Sequence, residues 1–140
     1  MRVTPTITLR QHKLRSTPVR RAVLEVLTQR DVAMSAPELE EATGADRITM
    51  YRTLKTFEER GILHRIVDGT SVDKFALCGG ECSDGDHVHA HPHFHCDDCG
   101  DTVCLDAPLQ APPVLPQGYQ ITDVQLTYRG RCNDCQTSAS

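Results

Sequence analysis

The stretch His87-Val-His-Ala-His-Pro-His-Phe-His-Cys-Asp-Asp-Cys99 carries five imidazoles and two thiols within thirteen residues. A second Cys-x-x-Cys pair, Cys132 and Cys135, lies close to the end of the sequence. Two such pairs supply four thiolates, which are the usual ligand set of a closed, tetrahedral, structural zinc site. We therefore predict one zinc ion bound by four cysteines, namely Cys96, Cys99, Cys132 and Cys135.

The histidines of this stretch outnumber what the four-cysteine site needs, so we predict a second metal site. They stand at alternate positions, and in a β-strand all five would face the same side. Pro92 interrupts the alternation, which favours an edge strand or a bend over a central strand. Residues 102–105 and 119–128 are further strand candidates, and the prolines within residues 106–118 exclude a regular helix there.

Size and composition limit the class of protein. The chain has 140 residues, which suits one domain or two small ones, and its seven cysteines fit complete disulfide pairing poorly. The sequence contains no apolar run long enough for a membrane span and no apolar segment of a signal peptide. We therefore expect a cytoplasmic protein with reduced thiols, in which Cys-x-x-Cys pairs favour metal binding. A redox role for these pairs is the alternative interpretation.

The net charge of −4 hides a difference between the two halves of the chain. Residues 1–67 hold 12 Lys and Arg against 8 Asp and Glu, whereas residues 68–140 hold 3 against 11. A basic first half is typical of a domain that binds a polyanion, and an acidic second half is typical of one that does not or that binds cations. A mildly basic helical domain without such a partner would have the same charge.

Three helices and a hairpin are predicted in the first half. Thr17 caps the first helix, and Ser35 with Glu38 forms a capping box for the second. Asp46 caps the third helix, which spans about residues 47–60. Two extended segments around an Asp-Gly turn follow and indicate a β-hairpin. This order of elements predicts a winged helix-turn-helix whose third helix enters the major groove of DNA.

The predicted third helix has a polar and cationic face outside its apolar stripe. On this face, Tyr51 and Arg52 could reach a base edge or phosphates, and Arg47 and Lys55 could contact phosphates. For any one of these residues, a solvated basic surface is the other interpretation. The cluster as a whole favours DNA binding, because it lies on the helix that should recognise DNA.

Taken in order, several motifs resemble the ferric-uptake-regulator superfamily of bacterial metal-dependent repressors. Residues 15–21, Arg-Ser-Thr-Pro-Val-Arg-Arg, resemble the start of the first helix of its DNA-binding domain. Residues 48–54, Ile-Thr-Met-Tyr-Arg-Thr-Leu, resemble its recognition helix. The histidine-rich stretch and the two Cys-x-x-Cys pairs resemble its zinc-binding β domain. The resemblance adds further candidate DNA contacts, namely Arg15, Thr17, Arg20 and Thr49.

The resemblance implies an α+β chain with a winged helix-turn-helix DNA-binding domain at residues 1–72 and a small zinc-binding, β-rich dimerisation domain at residues 73–140. It also implies a homodimer in which a metal between the domains sets two winged helices for a palindromic operator. The ligands of that regulatory metal are expected among His64, Cys78, His89, His91, His93 and Cys104.

Thiolate and imidazole with few carboxylates form a tetrahedral zinc set rather than an octahedral iron set. We therefore predict a zinc-responsive repressor that resembles the zinc uptake regulators, with a structural zinc and a second, regulatory zinc. The alternatives are an iron-, manganese- or peroxide-responsive member of the family and, from another class, a zinc-storage or metallochaperone protein. Cys82, His87 and His95 have no assigned role in this interpretation.

The sequence lacks the motifs of two classes of zinc enzyme. It contains no His-Glu-x-x-His motif, and it lacks the His-x-Glu and Pro-Cys-x-x-Cys pair of zinc deaminases. No Glu lies beside the histidines to act as a general base. We therefore predict that the protein is not an enzyme and has neither a small organic substrate nor a membrane partner.

Overall fold

The computed structural model describes residues 3–67, 69–77, 92–105, 113–122 and 124–138. This part of the chain contains helices α1 (Pro5–Gln11), α2 (Pro18–Arg30), α3 (Ala36–Thr43), α4 (Arg47–Glu59) and α5 (Asn133–Ser138). It also contains strands β1 (Met34–Ser35), β2 (Leu63–Ile66), β3 (Lys74–Leu77), β4 (His93–Cys96), β5 (Thr102–Cys104) and β6 (Thr127–Gly130). Among the described helices, none is both long and apolar enough to cross a membrane.

The predicted N-terminal caps lie at the starts of α2 and α3. The Thr17 hydroxyl accepts a hydrogen bond from the Arg20 amide at 3.3 Å. Ser35 and Glu38 form the reciprocal capping box at the start of α3. Gly44 ends α3 with a φ of 77°, a left-handed conformation that glycine adopts without strain. These predicted helix boundaries are confirmed.

Helix α4 is capped by Asp46, whose Oδ1 accepts a hydrogen bond from the Thr49 amide at 2.7 Å. Met50, Leu54 and Phe57 form the buried apolar stripe of this helix. The short helix α1 lies outside the sequence-based prediction, and it adds Leu9 to the core. The core of this half consists of Leu9, Val23, Leu24, Leu27, Met34, Leu39, Met50, Leu54, Phe57, Ile62, Leu63 and Phe75.

The first sheet has the strand order β1-β3-β2, and both of its pairings are antiparallel. β2 and β3 form the predicted hairpin, in which Leu63 pairs with Leu77 and Ile66 with Lys74. β1 is a two-residue strand that adds to the free edge of β3. Three capped helices followed by this hairpin confirm the α+β winged helix-turn-helix.

The predicted boundary between residues 72 and 73 lies before β3, although β3 hydrogen-bonds to β1 and β2. The pairing therefore associates residues 74–77 with the first sheet. The division of the chain into two domains stays a prediction.

The second sheet has the order β5-β4-β6, with β4 antiparallel to β5 and parallel to β6. The prediction of an edge strand is wrong for the described residues, because β4 is central. The alternative of a bend at Pro92 stays a prediction, since residues 87–91 lie outside the described residues. Pro92 precedes β4, so its missing amide removes no donor from the ladder, and its carbonyl accepts from the Leu105 amide at 2.9 Å.

The last strand differs from the prediction in its position along the chain. The prediction of a strand at residues 119–128 is wrong in its bounds, because β6 spans Thr127–Gly130 and the described residues 119–126 are irregular. Residues 113–118 form no helix, in agreement with their proline content. Helix α5 follows β6 and lies outside the prediction.

Hydrogen bonds join the two sheets through β5. The Ala33 amide donates to the carbonyl oxygen of Thr102 at 2.8 Å. The ammonium group of Lys74 in β3 donates to the Gly100 carbonyl at 2.6 Å and to Thr102 Oγ1 at 3.1 Å. His95 Nδ1 lies 2.9 Å from the same hydroxyl. Because Thr102 is fully buried and Lys74 is only 8% exposed, this network, here called the Thr102 junction, ties the hairpin to the second sheet.

Candidate metal centres and DNA-binding face

The pairing of β4 with β6 brings the two Cys-x-x-Cys segments together. These strands are parallel, and Cys96 at the end of β4 pairs with Gly130 at the end of β6. The segments that follow the two strands therefore leave the sheet at the same end of the strands. Cys99 lies in the turn after β4, Cys132 follows β6, and Cys135 lies in α5.

The four sulfur atoms, here called the four-cysteine cluster, lie within 4.8 Å of one another. Cys96 Sγ is 3.7 Å from Cys135 Sγ, and Cys99 Sγ is 3.8 Å from Cys132 Sγ. A disulfide needs a sulfur–sulfur distance of about 2 Å, so these are free thiols. A tetrahedral zinc site with Zn–S bonds of about 2.3 Å holds its sulfurs about 3.8 Å apart. The donor type and spacing therefore fit zinc.

Backbone amides prepare one thiol of this cluster for ionisation. Hydrogen bonds from the amides of Cys99 and Cys132 lower the pKa of the Cys96 thiol from 9.0 to about 6, and the Cys132 amide lies 3.4 Å from Cys96 Sγ. Hydrogen bonds with Cys132 and Cys96 instead raise the pKa of the Cys135 thiol. A thiolate at Cys96 is a favourable starting point for binding a cation, because metal ligands must be deprotonated.

A second group of metal-ligating side chains consists of His64, His93 and Cys104, here called the bridging cluster. His93 and Cys104 are directly opposite each other on β4 and β5. His64 comes from β2 in the first sheet. Their donor atoms lie within 4.8 Å of one another, although the cluster joins strands of two different sheets.

The geometry of the bridging cluster also fits a tetrahedral metal site. His64 Nε2 lies 3.3 Å from His93 Nε2 and 3.3 Å from Cys104 Sγ. Zn–N bonds of about 2.0–2.1 Å place two nitrogens about 3.3 Å apart in a tetrahedron. The two imidazoles are almost completely buried, whereas Cys104 is exposed. Two nitrogens and one sulfur form a set that zinc accepts readily.

The other predicted ligands of the regulatory metal, Cys78, His89 and His91, lie outside the described residues. Their assignment stays a prediction. His95, which had no assigned role, is described, and its Nδ1 contacts Thr102 Oγ1 rather than either cluster. Sequence analysis also missed Lys74 and Thr102, because only the approach of two distant strands reveals their contact.

The predicted DNA-binding residues of α4 share one exposed face. Arg47, Tyr51, Arg52 and Lys55 are all exposed, whereas Thr49 is half-buried. The Thr49 amide donates to Asp46 and holds the pKa of that carboxyl below its ordinary value. Asp46 is therefore ionised at the helix start, where a negative charge is favourable.

The candidate DNA-binding residues before and within α2 already have local partners. Thr17 is the cap of α2, and the guanidinium of Arg20 donates to the Arg15 carbonyl at 2.9 Å. Arg15 itself is exposed. Thr17 and Arg20 therefore have a structural role in addition to the contact predicted for them.

The sequence pattern of the ferric uptake regulator family matches residues 11–129. The chain belongs to this family. A peroxide-responsive repressor, PerR, from Staphylococcus saprophyticus is 29% identical over 138 residues, which cover 91% of this chain and 86% of that protein. Members of the family regulate transcription in response to metals and are not enzymes, and the same holds for this chain.

Two solved structures that are similar to this chain belong to proteins named for different metals. The ferric uptake regulator of Vibrio cholerae is 27% identical, with a TM-score of 0.58, over 91% of this chain and 98% of that chain. A zinc uptake regulator complexed with zinc and DNA is 23% identical, with a TM-score of 0.66, over 96% of this chain and 93% of that chain. The family supports DNA binding by a dimer, whereas these relatives do not determine the metal.

Proposed function

We propose that this protein is a zinc-responsive transcriptional repressor that binds a palindromic operator as a metal-loaded homodimer. The observation that carries the proposal is the bridging cluster, in which two imidazole nitrogens and one thiol sulfur converge from two sheets. A set of nitrogen and sulfur donors favours zinc over iron or manganese, which take more oxygen ligands. The name of the related zinc uptake regulator is consistent with this choice.

The bridging cluster is suited to a response because its ligands meet only when the hairpin lies against β4 and β5. His64 moves with the first sheet, whereas His93 and Cys104 move with the second. A cation held by all three would stabilise this arrangement over any other by its differential affinity. A tetrahedral ion needs one more ligand, and we propose that Cys78, His89 or His91 supplies it.

The four-cysteine cluster has a different role in this proposal. Its ligands all follow strands of one sheet, so zinc bound there would stabilise the second half of the chain without changing its position. The domain that carries it also forms the dimer. We place the boundary between the DNA-binding domain and this metal-binding and dimerisation domain after Leu77, because β3 pairs with β2.

The DNA-binding surface is assigned to α4 and the start of α2. Tyr51 and Arg52 would contact bases or phosphates, and Arg47 and Lys55 would contact phosphates. The contacts proposed for the remaining residues follow the family resemblance, and these residues are Arg15, Thr17, Arg20 and Thr49. Because such a regulator acts on chromosomal DNA, we also propose that it works in the cytoplasm.

The test is DNA binding by fluorescence anisotropy across buffered free zinc and, separately, anaerobic ferrous iron. The probe is a duplex selected from a random pool, in separate selections, by the protein loaded with zinc or anaerobically with ferrous iron. We expect tight binding only as free zinc rises, and we expect His64→Ala and Cys104→Ser to raise the zinc concentration required by about 10-fold or more. His12→Ala is the matched control, because His12 belongs to neither cluster.

Each outcome of this experiment has a distinct meaning. Binding that responds to iron alone would replace zinc by iron as the proposed signal. Binding that is independent of both metals would remove the sensory role of the bridging cluster. If His64→Ala and His12→Ala have the same zinc dependence, His64 is not a regulatory ligand.

A further inference from the structure

Ile48 is exposed at the start of α4, although isoleucine is one of the residue types most often buried. Its side chain is 67% exposed, while the packing of α4 is carried by Met50, Leu54 and Phe57 on the other side of the helix. The core of the winged helix therefore does not explain an isoleucine at this position.

The position of Ile48 on α4 connects it to the proposed DNA-binding residues. Tyr51, Arg52 and Lys55 follow it at i+3, i+4 and i+7, which places all four on one face of the helix. All four are exposed, and Arg47 is exposed beside them. This face carries three cations, Arg47, Arg52 and Lys55, and the one carboxylate on the same face, Glu59, is the last residue of α4 and eleven positions from Ile48. The positive charge around Ile48 favours DNA rather than an apolar protein surface as its partner.

Ile48 is the second residue of α4, and the N-terminal residues of a recognition helix are the ones that contact base edges. In the major groove, the C5-methyl group of thymine is the apolar group that a base edge presents. Isoleucine has no hydrogen-bonding group in its side chain, and its branched Cβ restricts it to few rotamers. These properties suit a rigid apolar contact and exclude a polar one.

We propose that Ile48 is a specificity-determining residue that packs against the C5-methyl group of one thymine in each operator half-site. This inference rests on the proposed binding of DNA by α4. A cytosine at that position would present its amino group in place of the thymine carbonyl and would lack the methyl group. Burial of one methyl group corresponds to an affinity change of roughly 3- to 5-fold.

The experiment replaces thymines of the selected operator, one at a time, by deoxyuridine, which keeps the base pair and removes only the methyl group. Affinities are measured for the metal-loaded wild-type protein and for Ile48→Ala. Wild type should lose roughly 3- to 5-fold at one thymine in each half-site. Ile48→Ala should bind the unmodified operator more weakly by a similar factor and should show no further loss at that thymine.

Ile7→Ala is the matched control, because Ile7 is also an exposed isoleucine but lies on α1. It should have the wild-type sensitivity to deoxyuridine at every position. An unchanged thermal unfolding midpoint of Ile48→Ala would show that its weaker binding is not a loss of folded protein.

The outcomes separate this inference from the proposed function. If wild type binds the operator but Ile48→Ala keeps the same deoxyuridine profile, the role of Ile48 is overturned while DNA binding stands. If the wild-type protein selects no duplex with either zinc or ferrous iron, the proposed function is overturned. The proposed contact between Ile48 and thymine is then overturned as well. The inference is supported if Ile48→Ala loses deoxyuridine sensitivity at one thymine of each half-site and keeps it at the other thymines.

Discussion

The four-cysteine cluster and the bridging cluster differ in the parts of the fold that supply their ligands. The four-cysteine cluster takes all its ligands from one sheet and the segments after its strands, since Cys96 ends β4, Cys99 follows it, and Cys132 and Cys135 follow β6. The bridging cluster takes His64 from the first sheet and His93 and Cys104 from the second. A metal with ligands from one sheet stabilises that sheet, whereas a metal with ligands from two sheets fixes their relative position. In the proposed function, this difference in the origin of the ligands distinguishes the structural site from the responsive one, whichever metal is bound.

The largest effect that this comparison predicts is the loss of the structural zinc from Cys96→Ser, with a destabilised second half of the chain. Serine keeps the size of the side chain but removes the thiolate that the amides of Cys99 and Cys132 stabilise. Because metal binding by such a cluster is coupled to folding, the variant should lose tightly held zinc, and its second half should unfold at a lower temperature than in wild type. Zinc content after dialysis against EDTA and circular dichroism measure these changes.

Cys104→Ser is the control for this experiment, because it removes a thiol from the bridging cluster alone. It should retain one zinc per chain after the same dialysis and should keep its unfolding transition. Equal zinc loss from both variants would contradict the distinction between the two clusters.

A smaller effect is expected at the Thr102 junction. Lys74→Met keeps an apolar stem but leaves the Gly100 carbonyl and the Thr102 hydroxyl without the ammonium donor. A hydrogen bond to a charged group contributes about 1.5–3 kcal/mol, so the free energy of unfolding in urea should fall by about that amount. Zinc retained by the four-cysteine cluster should not change, whereas zinc binding by the bridging cluster should weaken.

Lys55→Met is the matched control, because Lys55 is exposed on α4 and lies outside the junction. Its free energy of unfolding should remain close to that of wild type, since exposed substitutions usually have small effects. If the two lysine variants are equally stable, the junction does not stabilise the fold.

The smallest effect concerns pH. In metal-free, reduced protein, the lowered pKa of Cys96 predicts that its thiolate forms as the pH rises through about 6, and absorbance at 240 nm follows this ionisation. Folding lowers the pKa of this thiol from its ordinary value of 9.0. The ionised thiol therefore contributes its full stabilisation of the folded state at pH values above 9.0. This stabilisation is lost as the pH falls through about 6.

The titration is best made in Cys104→Ser, which removes the thiol beside His64 from the signal. If no thiol ionises until the pH approaches the ordinary pKa of 9.0, the amides of Cys99 and Cys132 do not stabilise the Cys96 thiolate in solution.

The first half of the fold was more predictable than the second because its signals are local. Thr17, Ser35 and Asp46 each cap the helix that begins at the next residue, and the capping bonds span only a few residues. The bounds of β6 could not be found in the same way. This strand pairs in parallel with β4, more than thirty residues earlier, and the pairing rather than a local pattern sets its position.

The two clusters also show that local sequence patterns predict only part of the structure. The spacing of Cys96 and Cys99, repeated at Cys132 and Cys135, was enough to predict four thiols around one metal. The selection of His64 and Cys104 relied on family resemblance, because each is isolated in the sequence. The Thr102 junction gave no signal at all, since Lys74 and Thr102 become neighbours only through the contact of two sheets.

The Thr102 junction also affects how a metal ion would encounter its ligands. Ala33 and Lys74 hold Thr102 through hydrogen bonds that involve no metal, and Cys104 lies two residues further along the same strand. His64 is therefore tethered near Cys104 and His93 at a high effective concentration. An ion that binds to one donor atom could then reach the other donors without a large movement of one sheet relative to the other. The free-metal concentration at which the regulator responds would then depend on Lys74, a residue that touches no metal.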